Sequence, residues 1–257
     1  MYTIPQIREL RKRSERLKRG VFYAEGNKIV AQAMQYGATI VQGVVAPSLV
    51  TSDLAQQTLN QMVMRNIPLL ELRPKQFNAI SFKRNPSGVG AIIRANVTPL
   101  HTTVEGLGWV VLDGVGNAGN LGAICRTCDA VGVSGIVMLG NTVDAYHPDA
   151  VRASLGAIFG LRLMKATAEE FADWKRASDI PMIGTSDQAT QSYRECDYAQ
   201  PSLLMMGSER LGISAETATL CDQIVSIPMI GSCDSLNLAV ATSVMLYEMF
   251  HQKKVSQ

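Results

Sequence analysis

Apolar and polar residues along positions 1–98 follow two periods, one typical of helices and one typical of strands. Short apolar runs predict strands at 21–26, 41–46, 67–72 and 89–94. Helical spacing predicts helices at 27–36, 52–65 and 74–81. A further helix is predicted over 8–19, where Ile7, Leu10 and Leu17 lie near helical spacing and Gly20 ends the helix. This alternation of elements predicts a small α/β sandwich.

The second half contains longer, continuous apolar runs. Those at 109–112, 135–139, 181–185, 203–206 and 224–227 are typical of strands that are buried on both faces. Helices are predicted at 120–131, 148–158, 167–177 and 236–251. The pattern predicts a parallel sheet covered by helices, with right-handed crossovers. Because residues 95–107 lack periodicity and include a proline, we place a linker at 98–106, between domains 1–97 and 107–257.

Composition narrows the class of protein. The 257 residues are 47% hydrophobic and 18% charged, which suits one large or two modest globular domains. No run of about 18 apolar residues predicts a membrane span, and charges soon after the first residues argue against a secretory signal. Five cysteines, an odd number, do not suggest a disulfide scaffold. We therefore expect a protein of the reducing cytoplasm.

The two halves carry opposite charge. Residues 1–98 contain 14 Lys and Arg against 5 Asp and Glu, and residues 99–257 contain 10 against 17. A basic half is expected to bind a polyanion, although a solvated basic face is the simpler alternative. Seven cations lie in the predicted first helix and are our candidates for binding it: Arg8, Arg11, Lys12, Arg13, Arg16, Lys18 and Arg19.

A glycine-rich loop follows the strand predicted at 109–112. Its spacing, Gly114-x-Gly116-x-x-Gly119, matches the dinucleotide fingerprint and raises an NAD-dependent oxidoreductase as one alternative. That fingerprint requires an acid at the end of the second strand, whereas the first acid beyond the run at 135–139 is Asp144. The third glycine also precedes Asn120, which we take as the helix cap. Both features disfavour dinucleotide binding.

The helix predicted after this loop contains Cys125-x-x-Cys128. Zinc or redox chemistry would require further ligands, but His101, His147 and His251 are scattered along the chain. Both thiols fall on the apolar face of the helix, where a cysteine packs as a small hydrophobe. We therefore predict core packing for the pair and no metal site.

Two later loops place polar residues directly after buried strands. In the loop at 207–212, Glu209 lies between two glycines, which is typical of a tight turn and also of a carboxylate near a helix N-terminus. In the loop at 227–237, Ser235 is explained as a helix N-cap. Asn237 is harder to explain, since it falls in the predicted first turn of a helix rich in Ala, Leu and Val.

Together the three loops resemble the SpoU-type (TrmH-like) branch of the SPOUT class of RNA 2′-O-ribose methyltransferases. The three motifs appear in order: Asn-x-Gly-Ala-x-x-Arg at 120–126, Gly-x-Glu-x-x-Gly at 207–212, and Ile-Pro-Met-x-Gly-x-x-x-Ser-Leu-Asn at 227–237. One departure is Asn117-Ala118, where many members have Asp-Pro. In the first half, Phe22-x-x-Glu25-Gly26-x-Lys28 and residues 87–93 resemble the ribosomal-protein-L30-like substrate-binding domain of members that act on ribosomal RNA.

The resemblance implies a fold and an activity. The fold would be α/β, with a parallel sheet whose C-terminal segment forms a deep trefoil knot, preceded by a small L30e-like domain. The activity would be methyl transfer from S-adenosylmethionine (SAM) to a ribose 2′-hydroxyl by a homodimer, with rRNA as the expected substrate. Two alternatives are the same chemistry on tRNA and a non-catalytic RNA-binding homologue.

The resemblance also implies roles for individual residues. The arginine of the first motif would activate the hydroxyl, and its asparagine and the glutamate of the second motif would position the nucleotide. The polar residues of the third motif would shape the pocket. Backbone groups would hold SAM at Gly207, Ile227 and Leu236. The implied catalytic set is Asn120, Arg126, Glu209, Ser235 and Asn237. With RNA as the implied substrate, the seven cations of the segment 8–19 become our predicted RNA-binding residues, which would neutralise phosphates without reading sequence.

Overall fold

The computed structural model describes residues 1–100, 103–198 and 201–255. The chain folds into two compact units, one of Met1–Asn96 with Asp144–Phe159, and one of Val97–Val143 with Gly160–Gln257. The chain first passes from one unit to the other between Asn96 and Val97, just before the predicted linker at 98–106. Two residues of that linker, His101 and Thr102, lie outside the described residues. The predicted second domain differs from the second unit, because residues 144–159 pack with the first.

The first unit is built on a four-stranded sheet in the order β1-β4-β2-β3. Strand β4 is antiparallel to β1 and β2, and β3 is parallel to β2. The strands are β1 (Val21–Glu25), β2 (Ile40–Val45), β3 (Leu69–Glu71) and β4 (Val89–Arg94). The helices are α1 (Ile4–Glu9), α2 (Arg13–Arg19), α3 (Asn27–Gln35), α4 (Asp53–Met64) and α5 (Pro74–Ile80).

The single helix predicted over 8–19 is wrong, because the chain forms α1 and α2 with a break between them. Lys12 is extended and serves as the N-cap of α2. The Arg16 guanidinium donates hydrogen bonds to the carbonyl oxygens of Leu10 and Arg11, at 2.9 and 2.8 Å. These bonds satisfy carbonyl groups that a continuous helix would pair internally.

The second unit contains a seven-stranded sheet in the order β11-β9-β10-β6-β7-β8-β5. Each pair of neighbouring strands is parallel, so the predicted parallel sheet is confirmed. Strand β8 was not predicted, because its exposed Arg162 and Lys165 interrupt the apolar run. The strands are β5 (Val97–Thr98), β6 (Gly108–Asp113), β7 (Gly135–Leu139), β8 (Arg162–Ala166), β9 (Met182–Thr185), β10 (Ser202–Met206) and β11 (Gln223–Val225).

Five further α-helices follow in the described part of the chain. They are α6 (Ala118–Val131), α7 (Pro148–Ser154), α8 (Ala168–Arg176), α9 (Ala215–Ala218) and α10 (Leu238–Val255). Of these, α7 lies in the segment that packs with the first unit, and the other four belong to the second. In the described ranges no helix combines the length and the apolar character needed to cross a membrane.

Residues 144–159 join the first unit through an aromatic stack and an ion pair. The ring of Phe22, fully buried in β1, stacks on Tyr146 with a centroid distance of 4.2 Å and also contacts Phe159. The Arg16 guanidinium lies 2.7 Å from the Asp144 carboxylate, and both side chains are largely buried. The predicted domain 107–257 includes this segment because periodicity shows which face of an element is apolar. It does not show which distant part of the chain packs against that face.

Candidate active site

The site lies where the direction of strand addition reverses. Strands β7 and β8 lie on one side of β6, whereas β10 and β9 lie on the other. In a parallel sheet such a switch point leaves a crevice at the carboxyl ends of the two adjacent strands. The loops that follow β6 and β10 therefore meet at the same edge of the sheet.

A chain of hydrogen bonds connects the three predicted motif loops. The Asn120 side-chain Nδ2 donates to Glu209 Oε1 at 2.8 Å, and the Gly116 backbone N–H donates to Glu209 Oε2 at 3.4 Å. On its other side, Asn120 Oδ1 accepts a hydrogen bond from Asn237 Nδ2 at 3.1 Å. We call Asn120, Glu209 and Asn237 the motif network. Three of the five predicted catalytic residues are thus in direct contact.

Glu209 is held as a carboxylate by the loops around it. Partial burial opposes its ionisation, but hydrogen bonds from backbone N–H groups, including that of Gly116, and from the Asn120 side chain outweigh this effect. The pKa of Glu209 therefore lies below its usual range. As pH falls, the network keeps its anionic acceptor until the pH reaches this lowered pKa.

The loop that carries Glu209 is a tight turn closed by reciprocal backbone hydrogen bonds between Ser208 and Gly212, at 2.9 and 3.0 Å. At Gly207 a Cβ atom would overlap the backbone of Gly212 and Ile213. Glycine at position 207 is therefore required for the turn to close, independently of any ligand. Gly212 adopts a φ of +65°, which also favours glycine.

Asn237 has a different position from the predicted one. Helix α10 begins at Leu238, and Asn237 Oδ1 accepts from the backbone N–H groups of Ala239 and Val240 at 3.0 and 3.4 Å. Asn237, and not Ser235, is thus the N-cap of α10. Its oxygen anchors the helix while its nitrogen reaches Asn120. Ser235 is exposed and has no hydrogen-bond partner among the residues that the structure describes.

Arg126 lies in α6, the helix that also carries Asn120. Its neighbours Ile124 and Cys125 are buried, whereas Arg126 itself is exposed. Within the described part of the chain its guanidinium forms no hydrogen bond or ion pair. The helix is tied to α10 by a 2.9 Å contact between the hydroxyl groups of Thr127 and Ser243. Helix α6 is thus held by the motif network at Asn120 and by α10 at Thr127, and it presents the exposed Arg126 between these two contacts.

Two residues that support this site were not predicted. Asn117 is the true N-cap of α6, since its Oδ1 accepts from the Asn120 backbone N–H at 3.1 Å. Asp113 accepts from the Ser214 backbone N–H and from the Thr217 hydroxyl at 3.2 and 2.7 Å, which secures the chain beyond the turn of Glu209. The sequence contains a signal for each residue: Asp113 is a polar residue at the end of an apolar run, and Asn117 is a second possible cap three residues before Asn120.

The capping of α6 also corrects one argument against dinucleotide binding. Gly119 lies inside the first turn of α6, and the prediction that it precedes the cap is wrong. The Gly116 N–H, which a fingerprint loop would direct at a pyrophosphate, donates to the Glu209 carboxylate. A carboxylate in that position repels a phosphate, so the loop is unsuited to a dinucleotide.

Cys125 and Cys128 are buried in the second unit, as expected for core residues. Burial raises the pKa of the Cys125 thiol to about 12 and also raises that of Cys128. Neither thiol is available as a thiolate at neutral pH. Among the described residues, no group of three or more His, Cys, Asp or Glu side chains is placed to hold a metal ion.

The predicted RNA-binding cations differ in their availability. Arg16 is buried in its ion pair with Asp144, so the prediction that it contacts RNA is corrected to a packing role. Arg19 pairs with Glu9 and Glu15 at 2.7 and 2.9 Å. Arg8 and Arg11 donate to carbonyl groups at the end of α5. The exposed cations with no partner among the described residues are Lys12, Arg13 and Lys18.

The chain matches two known protein families. Residues 109–247 match the SpoU rRNA Methylase family, and residues 2–91 match the MRM3-like substrate binding domain. Residues 144–159, which pack with the first unit, fall inside the methylase match.

Similar proteins extend over almost the whole chain. A 23S rRNA (uridine(2479)-2′-O)-methyltransferase of Streptomyces viridochromogenes is 31% identical over 94% of this chain and 86% of that protein. A 23S rRNA (guanosine(2553)-2′-O)-methyltransferase of Bacillus subtilis is 26% identical over 94% and 93%. A crystal structure of an AdoMet-bound rRNA methyltransferase from Sinorhizobium meliloti superposes with a TM-score of 0.86 at 34% identity, covering 96% of this chain and 94% of that one. The chain therefore belongs to the SpoU rRNA methylase family.

Proposed function

We propose that the chain transfers a methyl group from SAM to a ribose 2′-hydroxyl in ribosomal RNA. The observation that carries this proposal is the motif network, which joins the three motif loops at the carboxyl ends of β6 and β10. Its Asn120 lies on the same helix as Arg126, whose guanidinium has no partner among the described residues. Full-length similarity to two 23S rRNA 2′-O-methyltransferases supports both the chemistry and the class of RNA. Because one modifies uridine and the other guanosine, the base is left open.

The residues present suit SAM. Over 227–236 the described chain makes no backbone–backbone hydrogen bond, and most of this loop is exposed, so its N–H and C=O groups are free for a ligand. Ile227 and Leu236, at its two ends, would hold SAM through these groups together with the backbone at Gly207. An aromatic or charged anchor is unnecessary in such a site, because backbone donors and acceptors fix the ligand directly.

Bound SAM supplies an electrophilic methyl group on a sulfonium centre. The protein's task is to orient the ribose hydroxyl and to stabilise the negative charge that develops on its oxygen. Arg126 would do this as a permanent cation, and its planar guanidinium would also contact the neighbouring phosphate. Since guanidinium remains protonated in proteins, the hydroxyl proton would pass to a phosphate oxygen or to water. Asn120 and Glu209 would position the nucleotide.

We also infer the finer architecture implied by the family. The C-terminal segment would thread as a deep trefoil knot, and the first unit would be an L30e-like RNA-binding domain. A homodimer is supported by apolar side chains left open on α10, where Val240 and Tyr247 are 51% and 54% exposed. Five free cysteines are consistent with a reducing cytoplasm.

The proposed function is tested by incubating the protein with radiolabelled SAM and, separately, large-subunit rRNA, small-subunit rRNA and bulk tRNA. We expect label in one rRNA, in a dinucleotide that resists nuclease because its 2′-oxygen is methylated. Label in tRNA alone would keep the chemistry and replace the substrate. No label together with no SAM binding would favour the non-catalytic RNA-binding alternative.

The motif network predicts the effect of removing the charge of Glu209. We expect Glu209→Gln to lower the rate of methyl transfer by roughly tenfold, because the amide matches the carboxylate in shape but cannot accept from both Asn120 and Gly116. Single-turnover methylation at saturating RNA and SAM measures this rate. Glu216→Gln, an exposed change in α9, is the control. Equal rates for the two variants would contradict a role for the network.

Gly207→Ala tests the turn that carries Glu209. Since the added methyl group overlaps backbone, we expect a loss of stability of about 1–3 kcal/mol and SAM affinity reduced by at least tenfold. Gly116→Ala, where a Cβ has open space, is the matched control in the neighbouring loop. Isothermal titration of SAM into both variants measures the affinity, and unchanged binding to the Gly207 variant would show that the turn is not required.

A further inference from the structure

The first unit contains a groove to which the predicted RNA-binding cations contribute only Arg8. It lies between α1 and α5, has a volume of about 360 Å³, and is lined by Ile4, Arg8, Arg73, Lys75, Gln76 and Ala79. Three of these six side chains are cationic and none is acidic. A groove of this size can hold part of a nucleic-acid backbone.

Among the residues that the structure describes, none forms an ion pair with a cation of this groove. Arg8 is fixed by a 3.2 Å hydrogen bond from its Nε to the Ala79 carbonyl oxygen, which leaves its terminal nitrogens as donors. Arg73 and Lys75 are exposed, and neither side chain has a partner within the described ranges. Three like charges around one groove repel one another, and a bound polyanion would relieve this repulsion.

The neutral lining also suits RNA. Gln76 Oε1 accepts from the Arg73 backbone N–H at 3.0 Å, so its amide nitrogen is left to donate to a phosphate or sugar oxygen. Ile4 and Ala79 provide apolar surface beside the charges, against which a ribose can pack. Cations, one amide donor and a small apolar surface can contact the phosphates and sugars of an RNA but do not distinguish its bases. Binding in this groove would therefore not depend on the RNA sequence.

We propose that this groove, which we call the α1–α5 groove, binds backbone phosphates of the substrate RNA, with Arg73 and Lys75 as contacts additional to the exposed cations of α2. The proposal rests on the proposed function, since it takes the polyanion to be the RNA that is methylated. It extends the RNA-binding surface to residues beyond the basic segment at 8–19. An acidic protein is the other polyanion that this charge would attract.

The test uses a double variant of the full chain, Arg73→Ser with Lys75→Ser, and leaves Arg8 in place because it supports α5. The Kd for deproteinised large-subunit rRNA is measured across salt concentrations. We expect the slope of log affinity against log salt to fall by about one for each cation removed. Affinity near 0.1 M salt should fall by roughly tenfold. Lys165→Ser with Arg176→Ser removes the same charge from exposed sites of the second unit and is the control.

The outcomes separate this proposal from the proposed function. A raised Kd with a reduced salt slope in the groove variant alone, with SAM affinity unchanged, supports the groove, whether or not the wild-type protein methylates the RNA. Wild-type methylation of rRNA combined with identical Kd and slope for both double variants overturns the groove and leaves the proposed function standing. Identical rRNA binding by both variants, with loss of binding to polyglutamate in the groove variant only, would assign the groove to an acidic protein and overturn the RNA proposal.

Discussion

Arg126→Ala is expected to lower the rate of methyl transfer by a factor of about 10²–10³. The side chain is exposed on α6 and has no partner within the described chain, so its removal breaks no contact of the fold. The loss would arise in the transition state, where the guanidinium stabilises the negative charge on the ribose oxygen. SAM affinity should be unchanged. Single-turnover rates at saturating RNA and SAM, with a SAM titration, measure the two effects separately.

Arg126→Lys distinguishes a fixed fork from a simple positive charge. Lysine keeps the charge but not the planar pair of donors that can contact an oxygen and a phosphate together, so we expect this variant to fail as well. Arg176→Ala, an exposed arginine of α8, is the control and should retain the wild-type rate. If Arg126→Ala keeps wild-type turnover and RNA affinity, the assignment of Arg126 is wrong.

The contact among the motif loops shows what the sequence could and could not predict. Each loop was recognisable because a polar residue and glycines follow an apolar run, and the motifs identified the family. The spatial order of the strands was not predictable from periodicity, and only that order places the loop after β6 beside the loop after β10. The hydrogen bonds of Glu209 to Asn120 and Gly116 follow from that order.

Capping residues were the features that the sequence predicted least well. Asn117 and Asn120 are both good N-caps, and so are Ser235 and Asn237, so composition cannot choose within either pair. In the structure Asn117 caps α6 and Asn237 caps α10. Because Asn120 is not used as a cap, its side-chain oxygen is available to accept a hydrogen bond from the side-chain nitrogen of Asn237. A capping residue here also takes part in the site, so a helix boundary and a functional contact are decided together.

Arg16 illustrates the same limit for charged residues. In the sequence it is one of seven cations in a basic segment, with nothing to distinguish it from Arg13 or Lys18. Its partner Asp144 is 128 residues away, in a segment that periodicity assigned to the other domain. Local pattern therefore predicted a phosphate contact where long-range packing formed a buried ion pair.

That ion pair supports the last prediction. Asp144→Ala is expected to destabilise the first unit by about 3–5 kcal/mol, because it leaves the buried Arg16 guanidinium without its counter-charge. The side chains of Arg16 and Asp144 are only 4% and 12% exposed, so bulk water screens the unpaired guanidinium poorly. The substitution also removes the acceptor for the Tyr146 backbone N–H at 3.0 Å, next to the ring that stacks on Phe22.

Urea denaturation followed by far-UV circular dichroism measures this loss. Both tryptophans, Trp109 and Trp174, lie in the second unit, so fluorescence in the same titration reports on that unit separately. The control is Arg152→Ala, which breaks an exposed 2.9 Å pair with Asp149 in the same segment and should cost under about 1 kcal/mol.

A second variant separates the charge from the packing. Replacing Arg16 with Met together with Asp144→Leu removes both charges and keeps apolar volume, so it should recover part of the stability lost by Asp144→Ala. Recovery is incomplete because the carbonyl oxygens of Leu10 and Arg11 then lose their donor. Recovery would show that the cost lies in the uncompensated guanidinium. A midpoint for Asp144→Ala equal to that of the Arg152 control would mean that the pair contributes no more than an exposed one. In that case the aromatic stack and the hydrogen bonds between the Tyr146 hydroxyl and the Asn96 backbone would hold residues 144–159 to the first unit.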